Sequence, residues 1–215
     1  MRALEQFRIK FQGTLAAWFR VQRKVVARQY PSLVPIFDVG AEFTLRKNSK
    51  RVRPYLIALA YRMCGGKQPR LIERLAVVAE LIQSHLLIHD DVIDRDEVRR
   101  DGPTAHVALR PFAEHKHDRV HYGESQAILL GSLFGIWSRQ LVHEAGFSET
   151  RTVALLEKLE EMLAITHYGQ MLDVQLGERD RASVADIEEV YRSKTARYTL
   201  IGPLQLGAIA AGASA

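Results

Sequence analysis

The chain has 215 residues, 47% of them hydrophobic, enough to bury a large core and too apolar for a disordered tail. Thirty Lys and Arg against 25 Asp and Glu leave a formal charge of +5, which suits anionic ligands (nucleic acid, a membrane surface or phosphorylated metabolites) without choosing among them. The lone Cys64 excludes an internal disulfide and any metal cluster built on thiolates, and a reducing cytoplasmic setting is the expected one.

In chain order, the N-terminal Arg2, Arg8 and Lys10 are interrupted by Glu5, and no apolar stretch with a small-residue cleavage site follows, so no secretory signal is expected. Apolar spacing predicts helices near 4–29, 36–46, 54–64, 70–94, 104–109, 122–145, 149–176, 184–200 and 204–213. Breaks fall at Tyr30-Pro31 through Pro35, Gly65-Gly66, Asp101-Gly102-Pro103, Arg110-Pro111, Gly146 and Gly177. Ser148 and Ser183 read as N-caps, the latter with Asp186 as capping-box partner. No segment alternates with period two, so the expected fold class is all-α, a multi-helix bundle forming one domain over 1–215. The run from Leu204 to Ala215 is too short and too rich in Gly and Ala to span a bilayer, and no transmembrane segment is expected.

The segment from Leu75 to Ile88 is apolar nearly all round, broken by Glu80 and by Gln83, Ser84 and His85, and reads as a core helix. Its end is His89-Asp90-Asp91-Val92-Ile93-Asp94, which sets Asp90 and Asp94 one turn apart with Asp91 adjacent. Three carboxylates at a helix C-terminus repel one another and oppose the macrodipole, at a cost of roughly 1–3 kcal/mol. A cation should offset this. Mg²⁺, a hard ion that takes one or two carboxylates and completes its shell with water and phosphate, is one answer. A solvated acidic end neutralised by Arg95, Arg99 and Arg100 is the other. Elsewhere Lys50 and Arg53 lie just before Pro54 at an expected helix start, where free N–H groups already favour anions. Gln170 and Asp173 share a face at i, i+3, and Lys194 lies on the stripe of Ile187, Tyr191 and Tyr198. Each alone is equally an ordinary surface or satisfied core position.

Taken in order, these segments resemble the trans-isoprenyl diphosphate synthase family. Asp90, Asp91 and Asp94 match its Asp-Asp-x-x-Asp motif, and Arg99-Arg100-Asp101-Gly102-Pro103-Thr104-Ala105-His106 its arginine run. Ser49-Lys50-Arg51-Val52-Arg53-Pro54, Gly169-Gln170-x-x-Asp173 and Lys194-Thr195 match three further elements, and Gln83 a polar position seven residues before Asp90. Ser49 and Asp101 stand where that family usually has glycine, and Gly131-Ser132 where it often has Gly-Asp. The family's second aspartate-rich motif should lie beyond Ala215, so an isoprenoid synthase domain incomplete at its C-terminus, with a central apolar cavity, is expected.

The resemblance implies an Mg²⁺-dependent prenyltransferase joining an allylic diphosphate to isopentenyl diphosphate. Asp90, Asp91 and Asp94 would hold the metal, and Lys194 and Thr195 would lie near the reacting carbon. Arg99 and Lys194 would neutralise the departing pyrophosphate. Lys50, Arg53, Arg100 and Gln83 would bind isopentenyl diphosphate, with Gln170 and Asp173 also substrate-binding. His85, Leu86 and Ile82 would set chain length, and their intermediate bulk suggests a product of about C15 to C20. A homodimer is the family's usual state. The rivals are a class I terpene synthase, against which Lys50, Arg53 and Gln83 argue, and a non-catalytic partner subunit, favoured by the absent second motif. A basic nucleic-acid-binding protein is a third, but neither a reading helix nor a stacking-aromatic pattern supports a nucleic-acid partner.

Overall fold

The computed structural model describes residues 2–213, apart from the Lys116 side chain. Its elements are α1 (Arg2–Gln29), α2 (Val34–Leu45), α3 (Val52–Met63), α4 (Pro69–Ile93), a hairpin of β1 (Val98–Arg99) and β2 (Gly102–Pro103), α5 (Ala105–Leu109), α6 (Arg119–Glu144), α7 (Glu149–Gly177), α8 (Val184–Val190), a π-helical run Tyr191–Ile201, and α9 (Gly202–Ala211). The chain is almost entirely helical, as the apolar spacing requires. Among the described residues no helix is long and apolar enough to cross a membrane. Two compact units divide it, Met1–Arg51 with Val77–Gln140 and Val52–Ala76 with Leu141–Ala215.

In the first unit α1 buries Phe11, Leu15 and Phe19, four residues apart and so on one stripe. Phe19 meets Phe37 of α2 and Phe134 of α6 at ring separations of 6.0 and 5.9 Å, and Trp18 and Trp137 join the cluster at 5.9 Å. Such tilted and edge-on pairs add about 0.5–1.5 kcal/mol each beyond burial. From Leu75 to Ser84 every residue of α4 is buried, and two of the polar ones, Glu80 and Ser84, have partners suited to it. Ser84 hydrogen-bonds Thr44 of α2 at 2.8 Å, and Glu80 pairs with Arg51, an ion pair with almost no exposed surface. A cavity of about 460 Å³ opens between α1, α2 and α6, lined by Val25, Leu33, Ile36, Leu129, Leu133 and Trp137 among others.

In the second unit α7 buries Leu155, Leu159, Met162, Leu163 and Thr166 along one face. Helices α3 and α9 approach closely, made possible by Gly207: a Cβ there would stand 2.4 Å from the carbonyl oxygen of Ile57. Ser183 and Asp186 form the expected capping box at the start of α8, with Asp186 N–H donating to Ser183 Oγ at 3.2 Å.

Ser148 stands at the N-cap of α7 as expected, without a side-chain capping bond. Three expectations need correcting. Helix α3 begins at Val52 rather than at Pro54, so Arg53 lies inside its first turn. The hairpin at 98–103 was not expected, because two-residue strands carry no periodicity to read. Finally, the helix expected over 184–200 winds as a π-helix from Tyr191, and its apolar stripe does not hold: Tyr198 is buried, whereas Ile187 and Tyr191 are 48% and 67% exposed. Bonding to the fifth rather than the fourth residue widens each turn, so 3.6-residue spacing no longer marks a common face.

Candidate active site

In the first unit the last turn of α4 closes with the Asp94 N–H donating to the Asp90 carbonyl at 2.8 Å. Asp91 is fully buried, Asp90 half-buried and Asp94 exposed. A cation that offsets Asp90 and Asp91 is Arg99. Its Nε donates to Asp91 Oδ1, and Nη2 lies 3.5 Å from Asp90 and 3.2 Å from Asp96. Among the described residues the other oxygen of Asp91, Oδ2, is buried without a hydrogen-bond partner. Burial pushes the Asp91 carboxyl up to about 6; Arg99 pulls it down, while Asp90 and Asp96 raise it further. Among the described residues no three His, Cys, Asp or Glu side chains converge as a ready ion site; these carboxylates converge on Arg99 instead. Their donor set still fits a hard divalent ion, since a buried carboxylate oxygen lacking a partner is an oxygen ligand available to such an ion.

Arg99 is delivered by the hairpin, where Val98 pairs with Pro103 and Arg99 with Gly102. Arg100 and Asp101 form its tip with φ of 53° and 61°, the two left-handed residues that a type I′ turn demands. Arg100 donates to Ser49 Oγ, and burial lowers its guanidinium from the usual arginine value, with Arg51, Arg99 and Arg46 as like-charged neighbours. Lys50 is exposed beside them. Gln83 is buried, with Oε1 lacking a partner. Arg51, the middle residue of the basic motif, is instead a bolt: it pairs with Glu80 and donates to the Thr44 carbonyl at 2.7 Å and to Gln12 at 3.1 Å.

Of the positions expected to set chain length, Ile82 is buried, Leu86 half-buried, and the His85 ring reaches α6, with Nδ1 2.9 Å from the Gly131 carbonyl. His89 sits edge-on to it at 4.6 Å and touches the Ile128 carbonyl at 3.0 Å. Ser132, at the family's Gly-Asp position, bonds the Ile128 carbonyl at 2.9 Å and lies 3.4 Å from His89.

In the second unit Lys194 Nζ donates to Asp173 Oδ2 at 2.7 Å, so two of the expected residues meet. The glycine of the Gly-Gln-x-x-Asp element explains how. A Cβ at Gly169 would stand 2.5 Å from the backbone nitrogen of Lys194, so only glycine lets the π-helical run settle against α7. Gln170 is half-buried and Thr195 exposed. Arg53 lies over the Tyr198 ring at 4.3 Å and donates to Thr199 Oγ1 at 2.7 Å. Tyr198 and Thr199 escaped the sequence reading as partners of Arg53; 145 and more residues separate them, and no local signal links such positions. Arg46, which contacts the arginine hairpin from 53 residues away, was missed for the same reason.

A polyprenyl synthetase family profile matches residues 35–215. A geranylfarnesyl diphosphate synthase from Aeropyrum pernix is 33% identical over 190 residues, covering 86% of this chain and 55% of that protein. A short chain isoprenyl diphosphate synthase from Methanothermobacter thermautotrophicus is 31% identical over 175 residues, 81% of this chain and 49% of that protein. The solved structure of geranylgeranyl pyrophosphate synthase from Corynebacterium glutamicum, complexed with isoprenyl diphosphate and magnesium, superposes with a TM-score of 0.90 at 28% identity, covering 98% of this chain and 61% of that one. The chain thus spans about half the length of the curated relatives it matches. With the profile covering most of the sequence and the carboxylate, arginine and lysine elements each present at its proper place in the chain, this protein belongs to the polyprenyl synthetase family.

Proposed function

We propose that the natural protein containing this chain condenses an allylic diphosphate with isopentenyl diphosphate to give a longer trans-prenyl diphosphate of about C15 to C20, the range set by side-chain bulk at His85, Leu86 and Ile82. The observation that carries this reading is Asp91: a fully buried carboxylate at a helix end, held on one oxygen by Arg99 and lacking a partner among the described residues on the other, costs stability.

Asp90, Asp91 and Asp94 would hold Mg²⁺, which neutralises diphosphate charge as the allylic C–O bond breaks. Arg99 then has a second anion to serve, its planar fork matching diphosphate oxygens as it matches carboxylates. In the second unit Lys194 and Thr195 would meet the allylic diphosphate, with Gln170 and Asp173 supporting them. Lys50, Arg53, Arg100 and Gln83 would hold isopentenyl diphosphate, so that proximity and orientation supply much of the rate. The electron pair of the broken bond leaves with pyrophosphate, the double bond of isopentenyl diphosphate attacks the allylic carbon, and pyrophosphate takes the proton lost from the adduct. A cytoplasmic homodimer is the form proposed for the enzyme, with Ile128, Leu129, Leu133 and Ile136 on α6 as the apolar face two copies would cover.

The test is product formation by the full-length natural protein from the two diphosphates with and without Mg²⁺. Metal-dependent elongation supports the reading; consumption of the allylic diphosphate alone, giving a hydrocarbon, would replace it with a terpene synthase.

A further inference from the structure

We propose that Arg46 and Asn48 are positioning residues that fasten the Arg99–Arg100 hairpin to the end of α2, fixing both guanidinium groups before an anion arrives. The inference rests on the functional reading above, in which those two arginines meet diphosphate.

A hairpin of two-residue strands is marginal by itself, and this one turns through two non-glycine residues in the left-handed region. Something outside it must hold it. Arg46 caps the C-terminal end of α2, and its guanidinium donates to the Arg99 carbonyl at 2.6 Å and the Pro103 carbonyl at 2.5 Å. Those carbonyls belong to opposite strands, so one planar fork staples the pair. The group also lies 5.2 Å from the centre of the Phe43 ring and is packed against Gly102, where a Cβ would come within 3.0 Å of it. Two further bonds fasten the tip: Asn48 Nδ2 donates to Asp101 Oδ2, and Ser49 Oγ accepts from Arg100. Ser49 and Asp101 are the two positions where the family's usual glycine is replaced. The side chains gained there make the tie that a glycine pair could not.

Arg46 is not a further anion ligand by this geometry, because both arms of its fork are occupied by main-chain carbonyls. Its influence passes through the hairpin, whose setting also fixes Arg99 against Asp91.

The test uses full-length natural protein with Arg46→Lys, Arg46→Met and Asn48→Ala. Three quantities are measured: hydrogen exchange at the 98–104 amides without ligand, binding of Mg²⁺-pyrophosphate by calorimetry, and kcat and KM for each substrate. Expected are faster exchange at the hairpin, pyrophosphate binding weaker by about two- to tenfold, the size of one or two lost hydrogen bonds, a matching rise in KM for isopentenyl diphosphate through Arg100, and a fall in kcat of similar size through Arg99. Arg46→Lys should not rescue, since an ammonium cannot span both carbonyls as a fork does. Unchanged exchange and KM, or full rescue by lysine, would overturn the proposal. Loss of kcat in step with a general loss of fold would also overturn it. Wild-type protein that neither binds pyrophosphate nor elongates would instead sink the functional reading, so the two failures are told apart by wild type alone.

Discussion

Arg51 and Glu80 face each other with almost no surface in water, and Arg51 does so from a left-handed backbone position. Removing either partner leaves a buried charge alone, so Glu80→Gln or Arg51→Met should cost about 3–5 kcal/mol in denaturant unfolding, far more than Lys50→Ala on the exposed neighbour. His106 behaves differently. It is buried against Thr104, with Nδ1 3.2 Å from Oγ1, and burial, then Arg110, lowers its pKa from 6.5, against small opposing effects of Glu124, Glu97 and Asp96. The unfolded chain therefore takes up the proton first, and the stability His106 confers is complete above the ordinary histidine value and lost as pH falls below it. Urea midpoints at about pH 7.5 and about pH 5.5 should differ less in His106→Asn than in wild type. At this scale the sequence disclosed which residues carry charge near the carboxylates but not what each one touches. Arg51 and Arg53 look alike in a basic run, yet one is a buried bolt and the other stacks on Tyr198, because burial is decided by chain segments far away.

Helix α7 and the π-helical run meet across Gly169, and the Lys194–Asp173 pair depends on that approach. Gly169→Ala forces a methyl group into backbone rather than into a flexible side chain, so it should destabilise by about 1–3 kcal/mol and cut elongation activity at the same time. An alanine variant with wild-type melting and turnover would show that the run has room to shift. At the start of α8, Ser183→Ala removes one half of the capping box and should cost about 1 kcal/mol, read as faster amide exchange over 184–190. Helices were legible wherever 3.6-residue spacing and breakers agreed, and α1, α4, α6 and α7 lie within a few residues of expectation. The hairpin and the π winding were not legible, since both depend on hydrogen bonds fixed by tertiary contacts rather than on local pattern.

Over the whole molecule, the order of five short motifs along the chain revealed the family, although no one of them apart from the aspartates with their arginines is specific. Asp90→Ala or Asp94→Ala in the full-length protein should abolish Mg²⁺-dependent condensation with helicity retained, because carboxylates at a helix C-terminus oppose the helix dipole. In product analysis, His85→Ala should lengthen the chain by at least one five-carbon unit and His85→Phe shorten it; an unchanged distribution in both would leave His85 as a partner of the Gly131 carbonyl only. For the proposed dimer, Leu129→Glu with Leu133→Glu should shift sedimentation toward the monomer. Cys64 bears on how that experiment is read. It is the sole thiol among these residues and stands exposed. These 215 residues alone, with a single reactive sulfur, are monovalent in oxidation, so their cross-linking in air stops at two copies and never grows a polymer. Such a covalent pair has the mass of the proposed dimer and would survive both glutamate substitutions, whereas a reductant dissolves it and leaves the apolar association intact.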